Sequence, residues 1–355
     1  VIDRLGAPGD ALITANVIRC IKEQYSGLSI NCITPNPELV RLDPHIDAIN
    51  QPETFYSFDS SYWELIARKE KRENIIAHNL GRIGIDDHEY RARFYLSEEE
   101  RKWAKQLMGA SSKPVIAICT RSKETVKNWP LDHWVELIDS LHLDFSIIQL
   151  GDDKEPVLEN VIRFAGKHTM RESAALLSQA NFFIGPDSLL MHVANGLDIK
   201  SIVIFGGSRP TACFGYEENI NLATAPECSP CWIHDGYETC EHKFKCMKDI
   251  KDINELTMKT ANLGKKMLSD ELRKTRDEVN ETGIELSQTR DELRKTRDEV
   301  NESEIELSQT KDELRKTRDE VNESGVELSQ TRDELDQTRG ELNRVIWERD
   351  ELEVK

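Results

Sequence analysis

The sequence predicts an α/β fold built on a parallel sheet, followed by a long helical coiled coil. Three observations carry this. Between Pro114 and Phe205, short Val/Ile/Phe runs alternate regularly with amphipathic segments, the pattern of a parallel sheet covered by helices on both faces. At Gly6-Ala-Pro-Gly-Asp10 and again at Ile184-Gly-Pro-Asp-Ser-Leu-Leu-Met-His-Val-Ala194, an apolar strand runs into a short polar turn and then a helix. A helix start carries unpaired N–H groups and about half a positive charge, which suits a phosphate. Two such turns in one chain predict a cleft between two domains that holds a phosphorylated ligand. From about Lys265 onward, a 21-residue repeat takes over.

Taken in order, Val1 to Leu5 reads as a buried strand and Ala11 to Tyr25 as a helix, with Leu12, Ile13, Val17, Ile18 and Ile21 at helical spacing. Leu28 to Thr34 is a second strand, ended by Pro35 and Pro37. Ser57 to Leu107 reads as mostly charged helix with breaks near Gly81 and Gly84, and Ser97-Glu-Glu-Glu100 is a capping box. The strand that would complete this first half is not evident after Asn50. Ser111-Ser-Lys-Pro114 is the linker. Beyond it the expected strands are 115–119, 145–150, 182–184 and 201–205, and the expected helices 131–141, 157–165, 171–179 and 189–195. Ligands of such sheets bind at the carboxyl ends of the strands, so Asp10, Thr120, Asp152, Asp153, Asp187, Gly206 and Gly207 are the residues to inspect.

The tail repeats Asp270-Glu-Leu-Arg-Lys-Thr-Arg276 at Asp291 and at Asp312, a spacing of three heptads. With Leu272, Val279, Leu286, Leu293, Val300 and Leu307 at a, the d positions are Thr275, Thr282, Thr289, Thr296, Ser303 and Thr310, a weak seam that Ile284, Ile305 and Val326 are expected to widen. The alternatives are a solvated spacer helix and an oligomerisation or partner coil.

The chain has 355 residues and a formal charge of −18, about half of it in the tail. The remainder is mildly acidic, which argues against nucleic-acid binding. No apolar run reaches the ~18 residues of a membrane span, and no signal peptide is evident. The chain begins at Val1, already inside a strand, and reads as a fragment of something longer. Cys20, Cys32 and Cys119 fall in apolar patterns, as free core thiols do, which fits a reducing cytoplasm.

Each motif has a plain alternative. Gly6–Asp10 lacks the GxGxxG spacing and no P-loop lysine follows, so a dinucleotide fold is poorly supported. Asp10 is either a helix cap or a carboxylate placed as a general base. Lys127, in Lys127-Asn-Trp-Pro130, is either a surface lysine or a cation for a diphosphate. His192 and Asp187 read equally as a core histidine and a cap. Cys228, Cys231, Cys240 and Cys246, with His234 and His242 nearby, are a structural Zn or Fe site, reduced packed thiols, or a disulfide.

In order and spacing these pieces resemble glycosyltransferase family 9, the ADP-heptose:lipopolysaccharide heptosyltransferase group. The resemblance rests on Leu5 to Thr14, Lys127-Asn-Trp-Pro with His133-Trp134, Gly185 to His192, Phe205-Gly206, and Cys228-Ser-Pro-Cys231 with Cys240 and Cys246-Met247. It covers roughly residues 1–260 and is weakest over about 51–110.

The resemblance implies a GT-B fold: Rossmann-like domains at 1–110 (acceptor side, shortened) and 114–262 (nucleotide-sugar side, with the Cys-rich segment 228–246) facing a cleft, ahead of the coiled coil at 265–355. It implies inverting transfer from an ADP-heptose-like donor to a saccharide, lipid-linked saccharide or protein hydroxyl, with no cofactor required for catalysis. Carried over by position, Asp10 is the base and Lys127 stabilises the leaving diphosphate. Gly9, Thr120, Asp153, Asp187, Ser188 and His192 bind substrate. A cytoplasmic location follows from the same resemblance, peripheral at the inner face of the inner membrane in one version. Leu189 stands where the family usually has Gly. With the short first domain, it keeps open a second reading: a non-catalytic sugar-nucleotide-binding or scaffold protein assembled through its coil.

Overall fold

The computed structural model describes residues 1–4, 6–52, 56–69, 72–86, 88–233 and 240–353. Leu5 and His234 therefore lie outside the described residues. The chain divides into two compact units, 1–270 and 271–355.

The first unit begins with β1 (Ile2–Asp3), α1 (Pro8–Gln24), β2 (Asn31–Cys32), α2 (Pro37–Val40), β3 (Ala48–Ile49), β4 (Asp59–Ser60), α3 (Trp63–Arg68), α4 (Ile75–Gly81) and α5 (Glu98–Met108). β1 pairs in parallel with β4, and β2 with β3. The partner strand missing from the sequence reading is thus β4, only two residues long. Two expectations for this half are corrected. α1 starts at Pro8, not Ala11, because proline is pre-set for the first helical turn. Asp10 is consequently the third helical residue rather than the cap, and its carboxylate accepts the Ala7 N–H at 3.2 Å. Residues 82–86 and 88–97 are not helical: Gly84 sits at φ +74°, and Ala92 and Phe94 hydrogen-bond Asn195 and Gly196 instead.

The second half carries β5 (Val115–Ile118), a 3-10 turn at Thr125–Lys127, α6 (Leu131–Leu141), β6 (Ser146–Gln149), β7 (Ile162–Arg163), α7 (Met170–Leu177), β8 (Phe182–Pro186), α8 (Leu189–Gly196), β9 (Lys200–Phe205), α9 (Thr211–Phe214), β10 (Ile220–Ala223) and α10 (Lys245–Lys248). Its strands form one six-stranded parallel sheet of order β10-β9-β8-β5-β6-β7. Side chains alternate across it. Ala117, Cys119, Phe183, Val203 and Phe205 join the core shared with α1, α7 and α8. Ile116, Ile118, Phe182, Ile184, Ile202 and Ile204 join the core under α6, with Trp129 and Trp134.

The helix expected at 157–165 is absent. Asn160 takes φ +60° there, which ends any helix, and Ile162 and Arg163 become a strand beside β6. Arg163 fixes that edge by donating to the carbonyls of Glu155 and Pro156 and to the Gln149 side chain.

The two halves of this unit are held by polar contacts as well as by the shared core. Phe94 N–H donates to the Gly196 carbonyl, and Ala92 N–H to Asn195 Oδ1. A Cβ on Gly196 would stand 2.7 Å from Phe94 N, so only glycine admits this approach. Arg171 of α7 is buried and grips Glu100 of α5 through two bonds of 2.6 and 2.7 Å, while also donating to the carbonyls of Glu38 and Tyr95.

α11 (Ile253–Glu353) closes the chain. Its first turns belong to the first unit, where Leu256 and Thr260 are buried; the rest is the second unit, a helix whose side chains are exposed wherever they are described. The side chain of Leu272 falls outside that set. One expectation fails on geometry. At 100° per residue, Ile284 lies about 140° from Val279 and about 160° from Leu286. Ile284, Ile305 and Val326 are therefore on the opposite side of the helix and do not widen the stripe.

Hydrogen bonds from Arg171, then the capping bond from Ser97 and the contact with Arg41, hold the Glu100 carboxyl down at about 2. A depressed carboxyl stabilises the fold above its ordinary pKa of 4.5 and loses that contribution as pH falls toward 2. Glu100→Gln, which leaves Arg171 buried without its counter-charge, is expected to cost about 3 kcal/mol at pH 7. By urea unfolding of the full chain, the gap from wild type should shrink steadily between pH 4.5 and pH 2. A gap independent of pH would contradict this origin.

Candidate functional site

A cavity of about 410 Å³ lies between the first turn of α1 and the carboxyl ends of β5, β6 and β8. This is within the ordinary size of small-ligand sites. Ala7, Pro8, Gly9 and Asp10 form one wall; Cys119, Arg121 to Glu124, Lys127, Gly151 and Asp152 a second; Asp187 to Leu190 and His192 a third. Tyr62 and Phe214 close it, edge to face at 5.3 Å.

Asp187 ends β8 and is buried, and Lys127 reaches it from the 3-10 turn at 3.0 Å. Burial pushes the Asp187 carboxyl up, but Lys127, with His192 and Arg209, outweighs it and holds the group below its ordinary value. Lys127 also lies 3.8 Å from Glu124, which binds the buried Arg209 at 3.0 Å. His192 shares a 2.7 Å bond with the Tyr216 hydroxyl through Nδ1. Its pKa drops to about 4, chiefly through burial, so the ring is neutral at pH 7. Gly9 is what lets α1 come so near: a Cβ there would sit 3.1 Å from His192 Cδ2. Ser188 precedes α8, and its buried hydroxyl has no hydrogen-bond partner among the described residues.

Asp10 is buried at the opposite wall. Burial, reinforced by the charge of Asp3, raises its pKa to about 7, against the Ala7 N–H and the charge of Lys127, which lower it. The cavity is thus lined both by a carboxyl that changes charge near neutrality and by the half-buried Lys127.

Six of the eight residues expected at the site converge here: Gly9, Asp10, Lys127, Asp187, Ser188 and His192. Two do not. Thr120 is buried behind the wall, and its N–H and hydroxyl both donate to Glu155, at 3.0 and 2.5 Å. Asp153 is exposed and outside the cavity lining, where Asp152 and Glu155 stand instead. Reading the sequence also passes over Tyr62, Glu124, Glu155, Arg209 and Tyr216. Glu155 was within reach, being two residues past Asp153; Tyr216 is 24 residues from the histidine it holds and carries no local signal.

The cysteines do not form the expected tetrahedral site. Cys228, Cys231, Cys240 and Cys246 are free thiols. Among the described residues no group of three or more His, Cys, Asp or Glu side chains is arranged to hold a metal ion. Cys240 Sγ instead accepts the Phe244 N–H at 3.3 Å. Cys246 packs beside Gly207, its thiol pushed up by burial and by the nearby Cys231 and Cys240.

Residues 70–239 match the sequence model of Glycosyltransferase family 9 (heptosyltransferase), so the chain carries a domain of this transferase family. A curated relative, lipooligosaccharide heptosyltransferase 2 of Haemophilus influenzae, is 26% identical over 129 residues, which are 32% of this chain and 37% of that protein. The chain therefore aligns with little more than a third of that relative.

Three solved structures share the fold. The iron-containing dodecameric glycosyltransferase TibC of enterotoxigenic Escherichia coli gives a TM-score of 0.59 at 19% identity, covering 76% of this chain and 75% of that one. A family 9 glycosyltransferase of Veillonella parvula gives 0.56 at 13%, covering 76% and 96%. The E. coli ADP-heptose lipopolysaccharide heptosyltransferase II gives 0.51 at 15%, covering 76% and 98%. TibC has also been solved with ADP-D-beta-D-heptose. Among the described residues, no helix is long and apolar enough to cross a membrane.

The pKa of Asp10 gives a test in stability. A carboxyl whose folded pKa exceeds its unfolded value favours folding at low pH and loses that benefit as pH rises through the folded value, here from 3.8 to about 7. Asp10→Asn should therefore stabilise the protein by about 4 kcal/mol at pH 8, with the gain fading toward pH 4. Thermal unfolding across that range checks it; a gain that stays constant with pH would refute the raised pKa.

Proposed function

We propose that this chain is an inverting glycosyltransferase that moves a sugar, a heptose by analogy with its relatives, from an ADP-sugar to a saccharide or protein hydroxyl. The observation that supports this reading is that Asp10 and Lys127 line one cavity, near enough for the Lys127 charge to lower the Asp10 pKa. The reading takes the halves 1–110 and 114–262 as the two Rossmann-like domains of a GT-B enzyme, with the sugar nucleotide on the second. It needs no cofactor, and the helix from 265 to 355 serves as an assembly element. A cytoplasmic site of action is part of the same reading.

An acceptor hydroxyl has too high a pKa to attack unaided. With a pKa of about 7, Asp10 is ionised in half the molecules at neutrality yet still basic enough to take the hydroxyl proton. The oxygen attacks the anomeric carbon opposite the departing diphosphate, and this single displacement inverts the centre. Negative charge grows on the diphosphate as the bond breaks. Lys127, the Ser188 hydroxyl and the N–H groups at the start of α8 lie where they can meet it, stabilising the transition state more than the ground state. Asp187 keeps the ammonium in place without sealing it off, and neutral His192 adds polarity without a second charge.

Calorimetric titration of the full chain with ADP and GDP tests the donor site. Micromolar ADP binding is expected, weakened at least about tenfold by Lys127→Ala, since a desolvated charge-assisted contact is worth roughly 1.5–3 kcal/mol. Asp10→Ala should retain ADP binding and lose turnover of the ADP-sugar. No binding of either nucleotide by folded protein would sink the donor site. Transfer that survives Asp10→Ala would remove Asp10 as the base.

A further inference from the structure

The second unit presents a row of large apolar side chains to solvent on one side of a single helix. Val279, Leu286, Leu293, Val300, Leu307 and Leu314 recur every seven residues, and the row continues through Val321, Leu328 and Leu335 to Leu342. Ten side chains, each more than half exposed, make a continuous stripe with no partner within the unit. A strict seven-residue repeat is the signature of a left-handed supercoil with another helix.

The polar d positions do not prevent this. The hydroxyls of Thr282, Thr289, Thr296, Ser303, Thr310 and Thr317 each donate to the backbone carbonyl four residues earlier, at 2.9–3.1 Å. Their hydrogen-bonding capacity is met inside the helix, so burying them leaves no unpaired donor.

The flanking charges then decide the partner and its direction. In this phase every g position from Glu278 to Glu341 is glutamate. The e positions are basic at Arg290, Arg297, Lys311, Arg318, Arg332 and Arg339, with Gly283, Gly325 and Glu304 the exceptions. Among the described residues, Glu278 pairs with Lys274 at 3.9 Å and Arg318 with its neighbour Asp319 at 3.8 Å, and no other ion pair engages these g and e charges within the helix.

In a parallel, in-register pair, each g residue meets the e residue five positions on in its partner. That gives six Glu–Arg or Glu–Lys contacts per side, two Glu–Gly contacts, one Glu–Ile contact (Glu341 with Ile346) and one repulsive contact, Glu299 with Glu304. In an antiparallel pair g meets g and e meets e, setting glutamate against glutamate along the whole length. A slip of 21 residues keeps the phase, but because every g position is glutamate it leaves Glu304 facing a glutamate (Glu278 or Glu320), and it leaves three of the ten apolar layers unpaired.

We infer that this helix binds a second copy of itself, parallel and in register, with Glu at g and Arg or Lys at e setting the direction. This rests on the reading of the helix as an assembly element and specifies how it assembles. Because the threonine seam is weak, the charges carry an unusual share of the orientation.

The test uses the full chain with p-benzoylphenylalanine placed at Val279 or, separately, at Val321. Unlabelled and 15N-labelled chains are mixed, irradiated and digested with trypsin, so that links between copies are identified by mass. The proposal expects Val279 to capture the partner's segment 277–290 and Val321 to capture 319–332, each sequence being distinct from its repeats. Capture of 298–311 from both positions marks the slipped pair and overturns the register. Val279 captured near the C-terminal end, with Val321 captured N-terminal to itself, marks an antiparallel pair and overturns the direction while leaving assembly intact. No link between copies overturns the assembly reading as well.

A second measurement reads the charges. Arg297→Glu, Arg318→Glu and Arg332→Glu together should weaken this pairing at least tenfold in sedimentation equilibrium. Adding Glu292→Arg, Glu313→Arg and Glu327→Arg in the same chain should restore it. An unchanged affinity in the first variant contradicts the g-to-e code.

Discussion

The ion pair between the half-buried Lys127 and the buried Asp187, 3.0 Å apart at the carboxyl end of the central sheet, is the constraint around which the site is arranged. Burying a charge is tolerable only when it is paired and hydrogen-bonded. The pair fixes the 3-10 turn after β5 against the end of β8, and with it the floor of the cavity. His192 stays neutral chiefly because it is buried; Lys127 adds to this, while the Asp187 charge works against it. On the far wall the same dryness works in the other direction, holding the Asp10 proton until neutrality. One desolvated cavity thus sets three protonation states by different balances of burial and charge.

This balance requires the two halves of the first unit to stay close, and the structure secures them at several points. Gly9 lets the first turn of α1 reach His192, and Gly196 lets the backbone of Phe94 pass against the end of α8. Glu100 serves at once as the capping residue of α5 and as the partner of Arg171. A residue that closes a helix locally is therefore also the one that ties α5 to α7.

Much of this was legible in the chain. The alternation from Pro114 onward located β5, α6, β6, α7, β8, α8 and β9, because each strand is built around an apolar run and the helices between them show apolar stripes. The capping box at Ser97 and the turn before Asp187 were plain from residue type. What failed did so for physical reasons. Val157, Leu158, Val161 and Phe164 mimic helical spacing, yet the segment turns at Asn160, and Val157 is exposed. β4 is too short to show a period. Thr120 and Asp153 were placed by their position after strands, but position does not reveal that Glu155 takes up both donors of Thr120. The cysteine spacing suggested a metal, whereas Cys240 accepts the Phe244 N–H and Cys246 packs beside Gly207. Long-range partners such as Tyr216 for His192, or Arg171 for Glu100, leave no local trace in a sequence.

The account turns on a carboxyl that senses neutrality and faces a diphosphate site. The direct measurement is a carbon-13 NMR titration of the Asp10 carboxyl in the full chain, without and with saturating ADP. The predicted result is a titration near pH 7 in the free protein, moving higher when the anion fills the cavity, because a nearby negative charge disfavours ionisation. A carboxyl that titrates near 4, or one that does not respond to bound ADP, would contradict the account.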